Sequence, residues 1–249
     1  MTTRLRQPWP VTATAVLAAT LAGAVHAHSI EAEDGDAEAA FDVVHARVSA
    51  DGPHLVFRMA VSDDAGTSKP TATGELAGSD VFSYVWPTGL DTSEVGFGED
   101  QGILAMAVTA HPDFDDTPLF DENGDGNLDN DGNVWHSHWV VLVPDEACGD
   151  GALKVKDIPE GSDPKLPPTW PGLPIFIDSP GYSPVIGEET VRVRAPFGDA
   201  ERLVDTSYDA VTAGLRVNES VHAPLLCVVD VFDVASGDLS QPGRVTSGE

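Results

Sequence analysis

Apolar and polar residues alternate along much of this chain, in short blocks closed by Gly, Pro or Asp. His54 to Val61 (HLVFRMAV) sets Leu55, Phe57, Met59 and Val61 against His54, Val56, Arg58 and Ala60. That period of two marks a strand with one face in a core. Phe41 to Ala50 (FDVVHARVSA) precedes it across Asp51-Gly52, so the two blocks read as a hairpin. Further strands are expected at Val81 to Trp86, Ile103 to Thr109, Val134 to Val143, Ala152 to Ile158, Leu173 to Ile177, Thr190 to Arg194 and Pro224 to Phe232. Asp199 to Leu215 carries a helical reading, with Asp199 as cap and Gly214 as terminator. Glu160 to Pro184 is proline-rich, but Trp170, Ile175, Phe176 and Tyr182 give it something to bury, so it reads as an ordered excursion with a short edge strand.

About nine strands joined by turns predict an all-β fold, an antiparallel β-sandwich of immunoglobulin-like or jelly-roll-like type with long loops. At 41% hydrophobic residues the chain can bury one substantial core. A single domain is expected over residues 28–235, with an acidic lead-in at 28–40 and a polar, flexible tail at 236–249.

Residues 1–27 read as a signal peptide: Arg4 and Arg6, an apolar small-residue run from Val11 to Val25, then Ala27 at the cleavage position. The run is too short and alanine-rich for a membrane span, which takes ~20 strongly apolar residues. Cleavage after Ala27 would leave His28 first, its α-amino and ring nitrogens a few bonds apart and suited to copper or zinc. A cut after Ala24 would remove that chelate. A secreted or periplasmic location follows from either cut, and Cys148 and Cys227 would then sit where disulfides form. Their spacing does not show whether they pair.

Acidic residues number 41 against 13 basic ones, a formal charge of -28. That charge argues strongly against nucleic acid and anionic membranes as partners. Such acidity is either a solvated coat or a means of gathering cations.

Asp121-Glu122-Asn123-Gly124-Asp125-Gly126-Asn127-Leu128-Asp129 sets oxygen donors at loop positions one, three and five, glycine at six and Asp at nine. It resembles the calcium loops of EF-hand, dockerin and thrombospondin-type proteins over about ten residues. The resemblance implies a structural calcium ion at Asp121, Asn123, Asp125, Asn127 and Asp129. Position twelve is Gly132, so Asp131, Asp115 or Asp116 would have to complete the shell. The other reading is an Asx-rich turn held by its own hydrogen bonds.

Trp135-His136-Ser137-His138-Trp139 follows. On a strand, His136 and His138 share one face and can converge on one ion, with Trp135, Ser137 and Trp139 on the other. His111, at the end of a strand block, can add a further ligand; His45, His54 and His222 read as ordinary strand residues. A terminal His28 together with His136 and His138 on a β-sandwich resembles the histidine-brace copper proteins, the CopC-type carriers and the lytic polysaccharide monooxygenases. The resemblance implies copper held by His28 and one of His136 or His138.

The chain has no nucleophile elbow, Walker loop, zincin helix or dinucleotide fingerprint, so hydrolase, nucleotide and zinc-protease readings have no motif support. The expected function is copper sequestration or delivery with a calcium-stabilised turn. Copper-dependent oxidation of polysaccharide is the second reading. The third is a calcium-stabilised recognition module for a glycan or protein, using Trp135, Trp139, Trp170 and Tyr182.

Overall fold

The computed structural model describes residues 28–33, 35–218 and 224–248. The signal-peptide reading of residues 1–27 and His222 lie outside the described residues. The strands begin with β1 (Ser29–Glu31), β2 (Val43–Asp51), β3 (His54–Val61), β4 (Asp80–Pro87) and β5 (Ile103–Ala110). Then come β6 (His136–Pro144), β7 (Leu153–Val155), β8 (Ile177–Asp178), β9 (Val185–Ile186) and β10 (Thr190–Pro196). The last are β11 (Ser207–Tyr208), β12 (Val211–Val217), β13 (Leu226–Val234), β14 (Gly243–Arg244) and β15 (Thr246–Ser247).

The fold is all-β and its pairing antiparallel, apart from β15, which runs parallel to β2. One sheet has the order β1-β2-β3-β10-β9, and the predicted hairpin forms its centre, with Asp51 opposite His54 across Gly52 at φ 58°. The other has the order β5-β4-β12-β13-β7-β6-β8, and β5 also pairs with β6. That pairing joins the ends of the row, so β4, β5, β6, β7, β13 and β12 form a closed ring. The expected two-layer packing is therefore modified: one layer is rolled up.

Strand alternation divides the apolar residues between two cores. Trp86, Met106, Trp139 and Val141 point out of the ring and pack with Leu55, Phe57, Met59 and Val193 of the first sheet. Phe57 meets Trp86 and Trp139 edge-on, with ring centroids 5.9 and 5.6 Å apart. Val85, Ala107, Val140, Leu142, Val155 and Leu215 point inward and form a second cluster. A strand buried on both faces needs apolar residues on both parities, which is why β6 continues as Trp139-Val140-Val141-Leu142.

Each of the nine expected blocks contains a strand, but three segments differ from their sequence reading. Asp199 to Leu215 is no helix: one 3-10 turn at Glu201–Leu203 leads to β11 and β12. Val211, Thr212 and Val217 favour extended backbone, and pairing with β4 on one side and β13 on the other fixes it. The lead-in contributes β1, which pairs with β2. The tail is held by β14 and β15, with Val245 buried between them. Cys148 and Cys227 form a disulfide, their Cα atoms 5.4 Å apart.

Candidate metal centre

His136 and His138 share a face of β6, as strand geometry demands, and it is the inward face of the ring. On neighbouring β5, Thr109 lies opposite His136 and Ala107 opposite His138. His111 continues the inward parity of Ala107 and Thr109 just past the end of β5, so its ring meets that of His136 with Nε2 atoms 3.0 Å apart. The connection from β5 to β6 then folds back and inserts Asp116. Its Oδ1 stands 3.2 Å from His111 Nε2, 3.1 Å from His136 Nε2 and 3.3 Å from His138 Nε2. All four side chains are buried, and their donor atoms lie within 4.8 Å of one another. Among the described residues no other group of three or more His, Cys, Asp or Glu converges in this way.

The hydrogen bonds behind the rings decide which nitrogen faces the centre. His111 Nδ1 lies 2.9 Å from Phe114 O, His136 Nδ1 2.7 Å from Val134 O, and His138 Nδ1 3.3 Å from Asp178 O and 3.1 Å from Ser179 Oγ. A carbonyl can only accept, so each Nδ1 carries the hydrogen and each neutral ring presents an Nε2 lone pair inward. Those lone pairs converge on a carboxylate oxygen that can itself only accept. Asp116 Oδ1 and His138 Nε2 accordingly have no hydrogen-bond partner.

Four buried acceptors converging on one point repel unless a cation lies between them. Burial favours the neutral form of Asp116, but the close approach of His138, His111 and His136 outweighs it and holds the carboxyl well below the usual carboxylate range. The four residues can hold a metal ion. Bonds of ~2.0–2.1 Å to nitrogen or oxygen put tetrahedral donors ~3.3–3.4 Å apart, close to the spacing around Asp116 Oδ1.

No family model, curated protein or solved structure matches this chain. The chemistry therefore rests on its own residues.

The loop between β5 and β6 serves the centre. Ser179 Oγ donates to Asp116 O at 2.6 Å, Asp131 N donates to Asp115 Oδ2 at 2.6 Å, and His111 N donates to Gly132 O at 2.7 Å. In the stretch expected to bind calcium, Asp121 accepts from the amides of Gly124, Asp125 and Gly126. Asn123 accepts from Asp125 N, Asp125 from Asn127 N, and Asn127 from Asp129 N. These bonds make a chain of Asx turns, and Asp121, Asp125 and Asp129 do not converge as the four donors do.

His28 is exposed and stands apart from the four. Its carbonyl accepts from Tyr208 Oη at 3.1 Å, and Tyr208 bridges to Thr88, beyond the end of β4. His111 lies at the other end of that strand, where Phe82 pairs with Ala110. Trp135 and Trp139 are buried, and Trp170 and Tyr182 pack half-buried against the two cores, so these aromatics do not make an open face.

Asp116 is the donor that sequence reasoning assigned elsewhere, as a completing ligand for the loop. The available signal was that His111 and His136 stand at the two ends of a single connection.

Proposed function

We propose that this is an exported protein that holds a resident divalent transition-metal ion at His111, Asp116, His136 and His138. The observation that carries the reading is the hydrogen-bonding of the three Nδ1 atoms to backbone carbonyls, which turns three lone pairs toward one buried carboxylate. Three imidazoles and one carboxylate suit zinc and copper(II); a soft monovalent ion would favour sulfur, which this set lacks. The 3.1–3.3 Å distances from Asp116 Oδ1 to the three Nε2 atoms suit the tetrahedral shell of zinc, and the intrinsic affinity order favours copper(II). Burial of all four donors supports retention of the ion over exchange with a delivery partner, and it closes the centre to a polymeric substrate. Export is supported by the character of residues 1–27 and by the disulfide.

The test is metal analysis of protein exported from a host that processes the leader and purified without chelator. About one zinc or copper ion per chain is expected. After stripping and reloading, Asp116→Asn and His138→Ala should each lower affinity by ~100-fold or more in competition with a chromogenic chelator, since even supporting residues cost 10–100-fold. Unchanged affinity in both variants would remove the centre from these residues.

A further inference from the structure

The ring of strands is not filled. Inside it lies a cavity of about 380 Å³, within the usual ~300–1,000 Å³ of small-molecule sites. Its walls are aliphatic: Val81 and Val85 of β4, Val140 and Leu142 of β6, Val155 of β7 and Leu215 of β12. His111, Asp116 and His138 form part of the same lining, so the metal centre faces the cavity. The two unpartnered atoms, Asp116 Oδ1 and His138 Nε2, belong to residues of that face.

The cavity also has an opening. β7 meets β13 at the single pair Cys227 and Lys154, leaving the rest of β13 without a neighbour on that side. Register shifts in the pairing of β12 with β13 make Val229 an extra residue between Val228 and Asp230. Val229, Val231 and Leu239 line the cavity while remaining 44%, 49% and 40% exposed. Apolar side chains this exposed at the rim of an apolar chamber mark a portal. Asp150 and Asp230 at the same lining disfavour a ligand that arrives as an anion.

We propose that the barrel binds a small, neutral, largely apolar molecule carrying one oxygen donor, of the phenol or alcohol class, with the hydrocarbon body among the aliphatic walls and the oxygen on the metal ion. The inference rests on the metal reading above and deepens it. Four protein donors fill a tetrahedral shell, so the oxygen enters as a fifth ligand, an expansion that zinc can undergo. A ligand without a donor would gain from the walls alone.

The probes are 1-naphthol and 1-methylnaphthalene, similar in shape but differing in the hydroxyl, titrated by fluorescence against zinc-loaded and chelator-stripped protein of verified zinc content. 1-Naphthol should bind the zinc form at least tenfold more tightly than the stripped form, and 1-methylnaphthalene should bind both alike. Leu153→Trp, on a strand that carries no donor, should weaken both probes tenfold while zinc content stays unchanged; Val229→Trp at the portal repeats the test if that variant does not fold. Equal 1-naphthol affinity with and without zinc would overturn the role of the ion while leaving the metal reading intact. Absence of binding by either probe would overturn the ligand site. Failure of the protein to take up zinc or copper would remove both.

Discussion

Gly132 stands where a calcium loop would carry its last carboxylate, and the structure gives a different reason for its identity. A Cβ there would overlap the carbonyl oxygen of Phe114, crowd His111 O and lie 2.9 Å from His111 Nδ1. The same Phe114 carbonyl accepts from His111 Nδ1, and the His111 and Phe114 rings stack with centroids 3.9 Å apart. Any side chain at this position would push the loop off the imidazole whose tautomer it fixes. Gly132→Ala should therefore cost ~1–3 kcal/mol in denaturant unfolding, as overpacking does, and lower metal affinity as well. Stability lost without any change in affinity would show that the loop does not set the His111 ring. At this scale His136 and His138 were legible because strand parity is local. Asp116 was not, because the path of the connection selects it from several neighbouring aspartates.

At the scale of elements, β13 is both a wall and the rim of an opening, and its position depends on few contacts on the β7 side. The disulfide from Cys227 to Cys148 ties its first turn of strand to the loop that leads into β7, and Cys148 itself lines the cavity. The bridge spans 79 residues of sequence, and a loop of that length is worth ~4–5 kcal/mol on the chain-entropy account, with measured losses of ~2–5 kcal/mol. Replacing both cysteines by serine should lower the unfolding free energy measured in denaturant by that amount. A double variant as stable as the parent would show that strand pairing alone holds the opening. Nine of the strand blocks could be read from alternation and punctuation. β12 could not, because Asp199 to Leu215 mixes helix and strand signals that only its two neighbouring strands resolve.

For the molecule as a whole, two buried tyrosines join the layers. Tyr84 of β4 donates to Ala40 O and accepts from Gly66 N, each at 2.8 Å; Tyr208 reaches Ala46 O and His28 O, each at 3.1 Å. Burial pushes the Tyr84 phenol up to about 12 despite the Gly66 hydrogen bond, and burial likewise pushes Tyr208 up. Unfolded tyrosines release their protons near ~10. The folded state thus binds the proton more tightly, and the stability from Tyr84 is complete below pH ~10 and lost as pH rises toward 12. The melting temperature should be flat from pH 8 to about 10 and fall steeply above it. Tyr84→Phe should cost ~1–2 kcal/mol at pH 8 and make the alkaline fall shallower. An identical alkaline profile in that variant would assign the loss to other groups, the excess of carboxylates being ionised throughout this range.

Local residue pattern carries the all-β class, most strand positions and the shared face of His136 and His138, because each depends on residues a few positions apart. Tertiary structure decided which donors meet: His111 and Asp116 join them, while the Asp121 to Asp129 loop bonds to its own amides and His28 stays at the far end of the fold. It also decided that β5 pairs with β6 and closes a sheet around an apolar chamber. Convergence of distant side chains and closure of a sheet are set by pairing between strands, and local alternation carries no record of which strands will pair.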